Sequence, residues 1–178
     1  MTHSNTPMLP ALAALERRAL PQLLREAEDT WSTLDVIYHP PRVERVWRQH
    51  GEHRVYLHRI WPCEEGEALV HPHDWPSAVH LLTGRYAHTI ATPSADGSPT
   101  VLTTLELAAG SRYEMVEPSA WHAVRPLGGP ALSLMITGRP YTRDRRAPFP
   151  KPERPQPPLD PAVKRELLAA FRERYPLP

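Results

Sequence analysis

LVHPHDWPSAVHLLTGRY, residues 69–86, carries two histidines one residue apart, His71 and His73, ahead of an apolar alternation that ends at Thr83-Gly84. Residues i and i+2 of a strand face the same side. Two imidazoles, each able to bind a metal through a neutral ring nitrogen, are therefore expected to point into one space. Val79 and Leu81 carry the alternation on, and Thr83-Gly84 reads as a turn. A third histidine, His122, lies in EPSAWHAV, residues 117–124, a second strand-like segment.

Outward from this stretch the chain is punctuated as short strands. RVERVWR (42–48) and HRVYLHRIW (53–61) are separated by Gly51. In the second of these, Val55, Leu57 and Arg59 share one face and Tyr56, His58 and Ile60 the other, so only one of His58 and Arg59 points inward. Residues 85–91 and 100–107 flank SADGS (94–98), whose Asp-Gly is a hairpin signal. Residues 113–116, 121–124 and ALSLMIT (131–137) complete about eight strands. That spacing predicts a sandwich or barrel, and a jelly roll satisfies the count while hiding strand edges. The 23 prolines disfavour an all-helical chain.

The ends read as helical. Apolar residues recur at three or four over 8–31, and Pro21 divides them into two expected helices, about 9–18 and 21–30. Their stripe is expected on the outside of the barrel. RDRR, 143–146, reads as a solvated loop, and the proline-rich 147–161 as an extended strap. A last helix starts at Asp160 as N-cap with Pro161 behind it; Val163, Leu167, Ala170, Phe171 and Tyr175 form its stripe. The 178 residues are expected to form one domain: helices at 8–31, a barrel at 42–141, a strap at 143–161 and a helix at 161–175.

A net charge of +1 gives no electrostatic case for nucleic acid or an anionic membrane. The one cysteine, Cys63, allows no internal disulfide and fits a reducing compartment. No apolar run is long enough to span a bilayer, and MTHSNTPMLP does not read as a signal peptide. A cytoplasmic protein is expected.

The histidine segments resemble the cupin family: small β-barrels that hold a metal with H-x-H, a glutamate and a glycine, then a second motif with a proline and a late histidine. His71, His73, Gly84, Pro118 and His122 fall in those positions, and the resemblance covers roughly 43–141. Ser77 stands where the glutamate is expected, no glycine separates Pro118 from His122, and Pro126 replaces the usual asparagine. The resemblance implies a mainly β, cupin-type double-stranded β-helix or jelly-roll barrel with N-terminal helices and a C-terminal helix. It also implies one divalent metal at His71, His73 and His122, and a homodimer.

A three-histidine site without the glutamate is similar to the thiol dioxygenases, such as cysteine dioxygenase. Of that family's serine, histidine and tyrosine, only Ser133 stands at the matching positions, the others being Met135 and Thr137. Its substrate-carboxylate arginine falls near Arg42 or Arg45. LHRIW (57–61) and HDWPSAVHLLTGRY (73–86) are more similar still to small cupins with no assigned activity.

The expected function is a mononuclear metal-dependent cupin, an Fe(II) oxygenase acting on a small organic substrate with O2. Three neutral ligands leave the full ionic charge in place, which favours an anionic or chelating substrate. Imidazole also suits Zn, Cu and Ni, and Mn stays open. Two alternatives remain: a non-catalytic ligand-binding or sensing cupin, and a metal-free isomerase or epimerase with a histidine base and a tyrosine acid. Arg59, Trp75, Ser77, Tyr86, Tyr113 and Trp121 are the candidates for the substrate pocket. Strand parity sends His80 outside. His88 follows a turn whose phase the sequence leaves open, and His3, His39, His50 and His53 are expected on the surface.

Overall fold

The computed structural model describes residues 7–141 and 152–177. His3, the RDRR cluster and the first part of the proline-rich strap lie outside the described residues. The chain opens with three short helices, α1 (Leu9–Arg18), α2 (Leu20–Arg25) and α3 (Ala27–Thr30). Pro21 sits in the first turn of α2, where its missing N–H costs nothing. The second expected helix is broken at Glu26, whose φ of −91° and ψ of 0° end α2 before α3 begins.

Ten strands follow: β1 (Ser32–Val36), β2 (Val43–His50), β3 (His53–Ile60), β4 (His71–Pro72), β5 (Ser77–Thr83), β6 (Arg85–Pro93), β7 (Pro99–Ala108), β8 (Arg112–Met115), β9 (Trp121–Pro126) and β10 (Ala131–Thr137). They form two antiparallel sheets, ordered β1-β2-β3-β10-β5-β8 and β4-β9-β6-β7. From β3 to β10 the chain changes sheet at every step except the β6–β7 hairpin. This is the jelly-roll barrel that satisfies the strand count, of the cupin type that the resemblance implies. The strand count rises from eight because β1 is added and the histidine segment splits into β4 and β5.

Gly84 makes the sheet change between β5 and β6 possible. Its φ is +75°, and a Cβ there would lie 2.9 Å from the Pro130 carbonyl oxygen. The Asp96-Gly97 signal closes the β6–β7 hairpin, with the Asp96 carboxylate accepting from the Ser98 N–H at 2.9 Å.

The larger sheet has two unlike faces. Outward point Val46, Val55, Leu57, Ala78, Leu82, Leu134 and Ile136, which merge with Leu12, Leu20, Leu24 and Trp31 into one buried core. The last helix, α4 (Pro161–Arg174), closes this core with Leu167, Leu168 and Phe171. Burying each such side chain contributes about 1.5–3 kcal/mol. Asp160 caps α4 by accepting from the Ala162 N–H at 2.7 Å. Just before it, the Pro157 carbonyl accepts from the Asp35 N–H at 2.8 Å, and the Leu159 N–H donates to Thr33 Oγ1 at 3.1 Å. The described part of the strap thus covers the free edge of β1.

His80 also faces outward, as parity predicts. Its Nδ1 lies 2.6 Å from Glu16 of α1, which also accepts from Arg112 and from the Tyr175 hydroxyl at 2.5 Å. Burial alone would raise the Glu16 pKa. The bonds from Arg112, Tyr175 and His80 outweigh it and hold the carboxyl below its ordinary value. Among the described residues no helix is long and apolar enough to cross a membrane.

Candidate metal centre

The inner faces of the two sheets carry the site. β4 pairs with β9 so that His71 lies opposite His122. β4 is only two residues long, and His73 stands just beyond it, turned toward the start of β5. Ring centroids are 5.4 Å apart for His71–His73, 4.8 Å for His71–His122 and 4.6 Å for His73–His122. One ligand nitrogen from each lies within 4.8 Å of the others. Histidines 49 residues apart are thereby brought together, and among the described residues no carboxylate joins the group.

Each imidazole is held at Nδ1 by a different partner. His71 Nδ1–H donates to the Leu69 carbonyl at 3.0 Å, which leaves its Nε2 unprotonated. His73 Nδ1 meets Ser77 Oγ at 3.1 Å, and His122 Nδ1 meets His88 Nε2 at 3.1 Å. One assignment satisfies all three bonds, with a proton on every Nδ1 and a lone pair on every ligand Nε2. The Nε2 atoms of His73 and His122 then face each other at 3.0 Å. Two lone pairs so placed repel unless a metal ion lies between them, or unless His73 carries its proton on Nε2 and donates to His122 while Ser77 Oγ donates to His73 Nδ1. Adjacent nitrogens of an octahedral ion with bonds of about 2.1 Å stand about 3.0 Å apart, so this pair fits a divalent metal. The donor set fits as well, because metal-binding histidines hold their second nitrogen on a fixed partner.

Protonation favours the same reading. Burial, followed by the neighbouring His71 and Arg45, pushes His73 down to about 3. Burial lowers His71 to about 4 against the opposing Leu69 carbonyl. Burial lowers His88 to about 4 and holds His58 and His122 well below their ordinary value. At neutral pH all are uncharged, the form that binds metal.

A cavity of about 800 Å³ opens beside the triad and is lined in part by His71, His73, Arg45, Tyr56, Trp75 and Trp121. Of the expected pocket residues, Trp75 and Trp121 line it. Arg59 does not: strand parity puts it on the outer face, 2.5 Å from both Glu44 and Glu166, while His58 takes the inward position. Ser77 is fully buried and bonds His73 rather than a ligand. Tyr86 and Tyr113 bond each other at 2.9 Å away from the cavity lining, and burial raises both phenols, Tyr113 to about 12. His39, expected on the surface, lines the cavity instead, with its ring 6.3 Å from His71. Tyr38 and Tyr56 were not singled out from sequence and also line it. Their signal was the inward parity of β3 for Tyr56; Tyr38 and His39 follow β1, a strand whose polar residues hid it.

Arg45 lies opposite His58 on the inner face, and its Nε donates to His58 Nε2 at 3.0 Å. Its guanidinium carbon stands 5.1 Å from the centre of the Tyr56 ring. Among the described residues no carboxylate pairs with it. Arg42, the other candidate, is exposed and bound to Asp35 at 2.8 Å.

No family profile matches the chain, and no curated protein matches it in sequence. Among solved structures it is similar to Fe(II)-HppE with an alternative substrate, at 12% identity and a TM-score of 0.50 over 62% of this chain and 57% of that one. Hydroxypropylphosphonic acid epoxidase from S. wedmorenis matches at 13% identity and a TM-score of 0.47, covering 62% and 56% of the two chains. A point mutant of oxalate decarboxylase from Bacillus subtilis matches at 14% and 0.43, covering 60% and 27%. The chain spans little more than half the length of the first of these, and only 57% of it is aligned. The likeness at a TM-score of 0.50 establishes a shared cupin-type barrel.

Proposed function

We propose that this protein is a mononuclear metal-dependent cupin in which His71, His73 and His122 hold one divalent ion, and that it oxidises a small organic substrate with O2. One observation carries the reading: three neutral imidazoles, each fixed at Nδ1 by a separate partner, converge through Nε2 with no carboxylate among them. Fe(II) is the first ion to test, because it is the ion of the similar HppE structure and because nitrogen-rich open sites suit it. Such an ion supplies Lewis acidity and a redox couple at positions the protein leaves open.

The chain's own residues supply the rest. Leu69, Ser77 and His88 set the tautomer and aim of the three ligands. Arg45 offers two terminal nitrogens to an anionic group, since its only hydrogen bond among the described residues is made by Nε. Trp75 and Trp121 give the cavity two aromatic walls.

Oxygen uptake by the Fe(II)-loaded protein across thiols, amino acids and diketones tests the proposal. Uptake that requires both the metal and one substrate is the expected result. Metal-dependent binding with no uptake would point to a sensing cupin, and turnover that survives chelation to an isomerase.

A further inference from the structure

The cavity has two chemically distinct parts. Its inner end holds His71 and His73 with Arg45 beside them. Next to Arg45 the lining turns apolar. Leu34 lies opposite Arg45 across the β1–β2 ladder, and Val36 lies opposite Val43. All three aliphatic side chains line the cavity, and Met135, Trp75 and Trp121 face the same space. The two aspartates of the lining do not offset Arg45 at close range. Asp96 is exposed at the rim and accepts from the N–H and hydroxyl of Ser98 in its own turn. Asp74 follows His73, and among the described residues the charges that act on Arg45 come from Tyr56, Tyr38 and Arg54.

Size argues in the same direction. About 800 Å³ lies toward the upper end of the range of about 300–1,000 Å³ that holds drug-sized ligands. An amino-acid-sized thiol at the triad would leave most of that volume, and all of the aliphatic floor, to water. Water against Leu34, Val36 and Val43 is displaced with profit by an apolar group.

We infer that the substrate is an organic anion with an extended apolar body, its charged group against Arg45 beside the triad and its body over Leu34, Val36 and Val43. The position of the charged end rests on the proposed metal site. The apolar body rests only on the cavity lining. Leu34, Val36 and Val43 are then specificity-determining residues, and substrate length is read by how much of β1 and β2 it covers.

The test uses the full chain and saturated monocarboxylates as probes: acetate, butyrate, hexanoate and octanoate, with octylamine as the charge control. Binding is read by quenching of tryptophan fluorescence, since Trp75 and Trp121 line the cavity. Affinity is expected to rise about two- to fourfold per added methylene, in line with the transfer free energy of a CH2 group. Octanoate is expected to bind at least tenfold tighter than octylamine. The Arg45→Gln variant should lose that preference while keeping the length series. Leu34→Asn, which puts an amide into the floor opposite Arg45, should flatten the series. A flat series in the wild type, or octylamine binding as tightly as octanoate, overturns the inference. Metal analysis of the same samples separates the two readings. A steep series in protein that takes up no metal sinks the metal site alone, and a flat series in metal-loaded protein sinks this inference alone.

Discussion

Leu57 and His58 are neighbours in β3, yet they stand in opposite environments. Leu57 joins Val46 and Leu134 in the dry core beneath the helices. His58 joins Arg45 and Ser133 on the inner face, in the next cross-strand row. The period of two lets one sheet do both jobs: its outer face supplies apolar burial, and its inner face is free to be polar. Where most barrels fill their interior with aliphatic side chains, this one places His58, His71, His73, His88 and His122 inside with Arg45, and two of these histidines and the arginine line a cavity. The cost of that polarity is offset outside the barrel, where α1 to α4 cover the sheet.

Exchanging one residue on each face tests that division most strongly. Leu134→Ala should lower unfolding stability by about 2–5 kcal/mol, because it opens a hole in a fully buried region. Metal content per folded chain should not change. Urea unfolding monitored alongside metal analysis checks both, and a variant that stays stable while losing metal would erase the distinction between the faces.

On the inner face, His88→Ala should weaken metal affinity by about 10–100-fold, the usual consequence of removing a ligand's orienting partner. A chelator competition titration measures it, and unchanged affinity would remove His88 from the site. Glu16→Gln sharpens the outer side. It weakens the bonds to His80, Arg112 and Tyr175 and should cost about 1–3 kcal/mol without touching metal binding.

A further test is one of pH. In the folded, metal-free protein His73 and His71 accept protons only near about 3 and about 4, whereas unfolded histidines do so near about 6.5. Between those values the unfolded state binds more protons, so stability is full above about pH 6.5 and falls as the pH drops toward 4. Denaturant midpoints at pH 7.5, 6 and 5 should decline in that order. A midpoint that rose on acidification would mean that these rings are not buried as neutral groups.

Much of this arrangement is legible in the sequence, and its gaps have physical causes. The β5 alternation, the Asp-Gly hairpin and the glycine turn at Gly84 are local signals, and each leads to the element that forms. The approach of His122 to His71 and His73 follows from strand parity together with the family pattern. Arg59 misleads because parity says only that it opposes His58. Glu166, which helps hold it outward, is 107 residues away. Ser77 reads as a vacated ligand position, but the short β4 lets His73 turn back onto it. His88 needed the phase of the Gly84 turn, and His39 the path of a loop, neither of which periodicity supplies. β1 hides because Ser32, Thr33 and Asp35 break up its two apolar residues.

The central claim is that three imidazoles share one ion. Elemental analysis of freshly purified wild type, His71→Ala and His122→Ala, each checked for folding by its unfolding transition, tests it directly. The account predicts about one divalent metal per wild-type chain and almost none in either folded variant. Folded variants that hold as much metal as the wild type would contradict it.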